Sequence, residues 1–425
     1  MTIGEIVARR DRLFGGGTPL FYETPVHLVR GEGPWLFGAD GRRYLDMYNN
    51  IPVVGHCNPS VVAALSEQAA IHSTHSRYLD TRILDYAERL LALHADPITQ
   101  VVFACTGTEA NEIAMQMARM ATGGRGFICT DAAYHGNSYL VGQLTHAPHR
   151  GRADVHAIPF PDPYRPIESG LSEQALGERY LGEVRVAIDD FAAQGTPLAG
   201  ILLCSILANE GLPDIPAGFM RRAAAMVREA GGVVILDEVQ AGFCRTGAWW
   251  GYESTGVVPD IVTMGKPMGN GLPLAACAAR ADLVGTFRER TGYFNTFSST
   301  SVHAAVGMAV IDEIEGRGLA RQATEVGEYL RTALRELAAS CEPMGDVRGT
   351  GLFVGIDWVV DRDGREPDVA GAVAVANALK ERGFLVSNAG AHSNLVKIRP
   401  PLVFERQHAD LFLAAFADTI DALHG

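Results

Sequence analysis

The chain has 425 residues, 47% apolar and 20% charged, which is length for roughly two to three domains with buried cores and excludes a disordered chain or a small disulfide-stapled scaffold. Thirty-six Lys and Arg against 49 Asp and Glu leave a net charge of −13, which repels phosphate-rich surfaces, so neither nucleic acid nor an anionic membrane is an expected partner. Seven scattered cysteines without a Cys-x-x-Cys spacing argue against disulfides and structural zinc and for a reducing, cytoplasmic setting, and no signal-peptide core or 18-residue apolar run is present.

Between 18 and 50, short β-branched and aromatic runs at 27–30, 35–38 and 43–48 are separated by Gly-Pro and Asp-Gly turn signals, which predicts two or three antiparallel strands. From 59 to 93 apolar residues recur at helical spacing, first through Val61, Val62, Leu65 and Ala69, then through Ile83, Leu84, Ala87, Leu90 and Leu91. Strand-like runs follow at 100–104, 126–130, 200–204, 232–236 and 260–264, separated by helical stretches such as 109–120 and 218–230. This alternation predicts an α/β fold, a mainly parallel sheet with helices on both faces. The Pro-, Asp- and Gly-rich stretch 146–172 reads as a long surface excursion. The end of the chain differs, with a helical pattern over 302–339, a strand over 351–359 and a helix over 370–381, and predicts a smaller α+β domain. The expected division is 1–58 as a segment joining the small domain, 59–305 as the large α/β domain and 306–425 as the small one.

Three pieces of this layout carry chemistry. The run Cys105-Thr106-Gly107-Thr108-Glu109-Ala110-Asn111 follows a strand and opens a helix, so Gly107 and Thr108 present backbone N–H groups where an anion is well held, although Thr108 could equally be a plain helix cap. Asp237 ends the apolar run Val233-Val234-Ile235-Leu236, at the strand edge where open α/β sheets bind ligands. Its partner there could be a metal, a substrate hydroxyl or a protonated ring nitrogen, and a cap or salt bridge is the plainer alternative. Lys266 follows the next strand, within Gly265-Lys266-Pro267-Met268-Gly269, and suits a phosphate contact, a Schiff-base amine or a solvated loop.

An anion cradle, an aspartate and a lysine in this order are the parts pyridoxal phosphate requires. With Tyr134-His135-Gly136, Asp237-Glu238-Val239-Gln240, Gly242-Phe243, Arg245-Thr246-Gly247 and Asn295-Thr296-Phe297, they resemble the class III (ω-) aminotransferase family of fold-type I pyridoxal-phosphate enzymes over nearly the whole chain. The resemblance implies that Lys266 forms the Schiff base with the cofactor aldehyde and that Asp237 pairs with the pyridine nitrogen. It further implies that Gln240 bonds the ring 3-oxygen, that Tyr134 stacks on one ring face and Val239 packs on the other, and that Gly107 and Thr108 hold the phosphate. Thr296 would reach in from a neighbouring subunit, so a homodimer with shared active sites is implied, possibly paired into a tetramer.

Within that family the chain is similar to the branch of ethanolamine-phosphate phospho-lyase, through Val54-Gly55-His56-Cys57-Asn58-Pro59, Ser76-Arg77-Tyr78-Leu79, Gly345-Asp346-Val347-Arg348-Gly349 and Lys397-Ile398-Arg399-Pro400-Pro401. Many aminotransferases of the family carry an arginine at the position of Lys397 and a glutamate at that of Cys204, a pair that gates a substrate carboxylate; both are replaced here. Where the phospho-lyase branch reads Gly-Gly-Asn-Pro, this chain has Ser298-Ser299-Thr300-Ser301. The expected activity is therefore amino transfer from a small primary amine or amino acid to a carbonyl acceptor, with β-elimination of phosphate and ammonia from O-phosphoethanolamine or a similar amine as the alternative. Arg77, Lys397 and Arg399 are the candidates for a substrate anion. No metal is expected, since His56, His135, His303 and His392 match no ligand spacing.

Overall fold

Strands buried on both faces are apolar at nearly every position, and the buried strands follow this with Thr130, Asp237 and Thr263 as the polar exceptions. In the computed structural model, which describes residues 1–146 and 154–424, the strands Gly126–Thr130, Leu198–Cys204, Val233–Asp237 and Ile261–Met264 are buried throughout. They belong to a seven-stranded sheet in the spatial order Gln100–Ala104, Ala275–Ala279, Ile261–Met264, Val233–Asp237, Leu198–Cys204, Gly126–Thr130, Val155–Ile158. Ala275–Ala279 runs antiparallel to both of its neighbours, and the other six strands share one direction. Alternate residues feed two cores: Ile201, Leu203, Val234, Leu236 and Val262 face one side, and Leu202, Val233, Ile235 and Ile261 the other. The helices Glu173–Ala193 and Phe219–Glu229 cover the first side, and the helix Gly107–Thr122 covers the second.

The N-terminal strands Leu28–Glu32, Trp35–Gly38 and Arg43–Asp46 form the expected antiparallel meander, and Phe384–Leu385 from the far end of the chain pairs parallel to Arg43–Asp46. A third sheet holds Met344–Thr350, Phe353–Trp358, Leu395–Ile398 and Ser387–Ala389, all antiparallel. Among the described residues no helix is long and apolar enough to cross a membrane.

Two readings are corrected. The helical pattern over 302–339 is two helices, Ser301–Gly316 and Leu319–Ala338, because Gly318 takes a left-handed φ of +62° that ends one axis and starts another. Within the expected excursion over 146–172, Val155–Ile158 is an edge strand of the large sheet, paired with Gly126–Thr130; residues 147–153 of that stretch lie outside the described residues.

Candidate active site

Since six strands run one way, their C-terminal ends meet along a single edge, and there the chain turns polar. Gln100–Ala104 leads into Cys105 and Thr106, Val233–Asp237 ends in Asp237, and Ile261–Met264 leads into Gly265 and Lys266. The register sets Asp237 between Cys204 on one side and Thr263 on the other. Above this edge lies a cavity of about 310 Å³ whose lining includes Gly107, Thr108, Tyr134, Asp237, Val239, Gln240 and Lys266. These expected site residues, scattered over 160 positions of sequence, thus share one space.

The helix start is built for close approach. Thr106, not Thr108, is its cap: Thr106 Oγ1 accepts from Glu109 N at 3.1 Å, and Glu109 Oε2 accepts from Thr106 N at 3.1 Å and Cys105 N at 2.7 Å. That leaves Gly107 and Thr108 in the first turn, where N–H groups have no intrahelical acceptor. A Cβ at 107 would stand 2.9 Å from Val239 Cγ2, and one at 265 would stand 3.2 Å from the Gly107 nitrogen. At Gly136, where φ is +144°, it would stand 2.8 Å from Thr108 Oγ1. Three glycines therefore let the helix start, the lysine loop and the Tyr134 loop close on the same N–H groups.

Asp237 is 5% exposed and fully bonded. Its Oδ2 accepts from Asn111 Nδ2 at 2.9 Å and faces His135 Nδ1 at 2.8 Å, and its Oδ1 accepts from Val239 N at 2.9 Å. Asn111 is itself fixed, donating to the His135 carbonyl at 2.7 Å and accepting from Thr263 Oγ1 at 2.6 Å. Burial alone would push the Asp237 acid up. His135, the Val239 N–H and the Asn111 amide together outweigh it and hold the carboxyl below its usual range, so an anion persists at the cavity floor.

Lys266 is pushed the opposite way. Burial lowers its amine below the ordinary lysine range, Asp237 resists and Arg399 adds to the fall. Gln240 donates from Nε2 to Asn209 Oδ1 at 3.0 Å and accepts from Arg399 Nη1, and Asn209 donates to the Tyr134 carbonyl at 3.2 Å. The Gln240 side chain, expected at the ring 3-oxygen, is thereby tied through Asn209 to the backbone of Tyr134, the residue expected over the ring.

Four expected residues lie outside the cavity lining. Thr296 is exposed, in a loop that touches the site through Asn295, whose Oδ1 accepts weakly from Cys105 Sγ at 3.8 Å. Arg77 is exposed and lies over the Phe294 ring at 3.9 Å. Arg399 is turned inward, donating to the Tyr48 carbonyl at 2.7 Å and lying over the Tyr48 ring at 4.3 Å. Lys397 is 2% exposed, its Nζ donating to the Ala208 carbonyl at 2.6 Å, and burial first, then Arg399, lowers its amine to about 7.

Sequence reading did not find the supporting roles of His135, Asn111, Thr263 and Asn209. Their signal was weak: His135 and Asn111 stood inside motifs that already had another reading, as a glycine-flanked loop and as a helix start. Among the described residues, no group of three or more His, Cys, Asp or Glu side chains is placed to hold a metal ion.

The chain as a whole has counterparts. A family model described as aminotransferase class-III matches residues 21–420. A Drosophila melanogaster protein named alanine–glyoxylate aminotransferase 2-like is 36% identical, across 99% of this chain and 87% of its own length. A Caenorhabditis elegans protein named ethanolamine-phosphate phospho-lyase homolog 1 is 34% identical, across 95% of this chain and 90% of its own. Among solved structures, a phospholyase from Arthrobacter in complex with phosphoethanolamine matches with a TM-score of 0.94 at 39% identity, covering 98% of this chain and 99% of that one.

Proposed function

From the premise that the chain belongs to the class-III aminotransferase family, a family of pyridoxal-phosphate enzymes, we propose that it holds this cofactor on Lys266 and eliminates phosphate and ammonia from a small phosphorylated primary amine of the O-phosphoethanolamine kind. The observation that carries elimination is the full-length likeness, at 39% identity, to a phospholyase bound to phosphoethanolamine.

The residues present fit the cofactor. Gly107 and Thr108 offer N–H groups to a phosphate at a position where a Cβ would fill the space against Val239. Asp237 is an anion at the cavity floor for a protonated ring nitrogen, and Lys266 is a desolvated amine for the aldehyde. Tyr134 and Val239 flank the space, and Gln240, held by Asn209 and Arg399, is placed for the ring 3-oxygen.

When bound, the protonated pyridine ring supplies an electron sink for negative charge at the Cα of an attached amine. Asp237 keeps that ring proton in place by remaining ionised, which His135 and Asn111 ensure. With the cofactor bound, Lys266 would be the base for the Cα proton, and its lowered basicity favours the free amine that this role requires. Loss of the Cβ–O bond of the substrate then releases phosphate, and addition of water to the two-carbon enamine left behind releases ammonia and an aldehyde. Lys397, which stands where a carboxylate-gating arginine occurs in many relatives, is committed to the Ala208 carbonyl, which supports a substrate without a carboxylate. Arg77, exposed and shelved on Phe294, is the proposed contact for the substrate phosphate. Thr296, exposed and outside its own chain's cavity, supports a dimer in which it serves the partner's phosphate site.

Amino transfer, the activity expected from the sequence, is the second reading, supported by the aminotransferase class-III model over residues 21–420 and by the 36% identity over 99% of the chain to a protein named as an aminotransferase-like relative. The test gives loaded enzyme O-phosphoethanolamine without a keto acid and follows inorganic phosphate. Sustained release that disappears in Lys266→Ala supports elimination; no release, with the yellow colour bleaching stoichiometrically on simple amines and returning with pyruvate, overturns it in favour of amino transfer.

A further inference from the structure

An amide can be turned over without changing its shape, so the way Gln240 points is set by its neighbours. It stands in a row of four residues whose two ends admit one orientation. At one end the Tyr134 carbonyl can only accept, and Asn209 Nδ2 donates to it at 3.2 Å. That turns Asn209 Oδ1 towards Gln240, where it accepts from Gln240 Nε2 at 3.0 Å. At the other end the Arg399 guanidinium can only donate, and its Nη1 donates to Gln240 Oε1. Both ends therefore demand the same orientation. Nε2 carries two hydrogens and Asn209 takes one; the second has no partner among the described residues, and Gln240 lines the cavity.

Arg399 is itself immobilised. Its backbone N–H donates to the Met47 carbonyl at 2.8 Å and its Nε to the Tyr48 carbonyl at 2.7 Å, while its guanidinium lies over the Tyr48 ring at 4.3 Å and the Phe353 ring at 5.9 Å. Both acceptors of its side chain are neutral oxygens. Asp46, the carboxylate in its field, is already engaged: His56 Nε2 lies 2.7 Å from its Oδ2, and its Oδ1 accepts from Tyr48 N at 3.0 Å and Asn49 N at 2.9 Å. The other groups that feel Arg399 are the bases Lys266, Lys397 and Arg245. A cation whose acceptor is an amide oxygen polarises that amide and strengthens its remaining N–H as a donor.

We propose that Arg399 is a positioning residue: with Asn209 it fixes Gln240 so that an N–H, and not the amide oxygen, is presented to the ring 3-oxygen of the cofactor. This rests on the pyridoxal-phosphate reading. The 3-oxygen carries negative charge, so an amide turned the other way would lose a hydrogen bond and set two acceptors against each other. The same placement takes Arg399 out of the contacts expected for a substrate anion, because its guanidinium stands behind Gln240 and outside the cavity lining.

Arg399→Met removes the donor that holds Oε1. Cofactor-free protein is offered pyridoxal phosphate and its 3-deoxy analogue in competition, and the ratio bound is measured after both are released. Unaltered protein is expected to prefer pyridoxal phosphate, and Arg399→Met to reduce that preference about tenfold, the effect of one hydrogen bond to a charged group. A merely structural Arg399 would weaken both ligands alike and leave the ratio where it was, which would overturn the proposal. Should Arg399→Met not fold, Asn209→Leu frees the other end of the amide and must reduce the ratio too, and an unmoved ratio overturns the proposal equally. A direct role at the substrate would show as a raised inhibition constant for inorganic phosphate in Arg399→Met with the cofactor ratio unmoved, again overturning it. Failure of the cofactor reading shows separately, as unaltered protein that gains no borohydride-sensitive colour from either ligand.

Discussion

Gly107→Ala tests whether the anion cradle depends on backbone approach. The added Cβ would lie 2.9 Å from Val239 Cγ2 and 3.1 Å from Cγ1, against a comfortable separation of about 3.5–4.0 Å between carbons. Val239 gives little: it is β-branched, 7% exposed, and its N–H is bonded to Asp237 Oδ1 at 2.9 Å. The helix start must therefore move away, carrying the N–H groups of 107 and 108 out of position. Overpacking of this kind costs about 1–3 kcal/mol. If the same shift is resisted by bound cofactor, its dissociation constant rises roughly 5- to 150-fold. Urea unfolding of cofactor-free protein reads the first quantity, and absorbance titration with pyridoxal phosphate reads the second. Adding Val239→Ala to Gly107→Ala makes room for the methyl and should recover most of the stability, a coupling that a double-mutant cycle isolates. Gly107→Ala protein within about 0.5 kcal/mol of the unaltered chain, with unchanged cofactor affinity, would refute the reasoning.

Three further outcomes are expected. Lys266→Ala should bind pyridoxal phosphate without covalent attachment and lose activity to background, shown by colour that dialysis removes and borohydride no longer fixes. Lys397→Met should be more stable than the unaltered protein at neutral pH, because the lysine is buried with its amine lowered to about 7. Between that value and the ordinary lysine value of about 10.4 only the unfolded chain binds the proton, so stability of the unaltered protein climbs with pH by up to ~1.4 kcal/mol per unit. The climb should be absent in Lys397→Met, and parallel urea midpoints at about pH 7 and 9 would contradict it. Arg77→Met, at an exposed position over Phe294, should raise KM for O-phosphoethanolamine at least several-fold while leaving cofactor affinity and unfolding unchanged; an unchanged KM removes Arg77 from the substrate site.

How far the fold could be read depended on what each strand had to bury. Val233–Asp237 and Ile261–Met264 announce themselves because runs of β-branched and other apolar residues sheathed on both faces leave polar side chains only at Asp237 and Thr263, at the site edge. Ala275–Ala279 does not, since its sequence Ala-Ala-Cys-Ala-Ala favours a helix locally. Pairing on both sides, with Gln100–Ala104 and Ile261–Met264, overrides that preference. Val155–Ile158 hides for a different reason, being four residues long and paired on one side alone, inside a stretch rich in turn formers. The two helices around Gly318 share an apolar pattern that continues across the break, so periodicity alone runs them together.

The site divides the same way. Gly107, Asp237 and Lys266 sit where a strand or helix ends, and an element boundary is visible in one stretch of sequence. What keeps Asp237 ionised is not: Asn111 comes from a helix, His135 from a loop, Thr263 from the neighbouring strand and Val239 from the following turn. Each is a common residue in an ordinary local setting, and its role exists only in the register that puts Thr263 beside Asp237 and Asn111 above both. A charged group is legible by its type, but the neighbours that fix its charge are chosen by topology. Substitutions at Asn111 or Thr263 should therefore resemble damage to Asp237 rather than loss of helix or strand, weakening cofactor retention more than they weaken the unfolding transition of the cofactor-free chain. Were Asn111→Ala to lower that transition while leaving cofactor affinity intact, the hydrogen bonds at 2.9 and 2.6 Å would be packing contacts and nothing more.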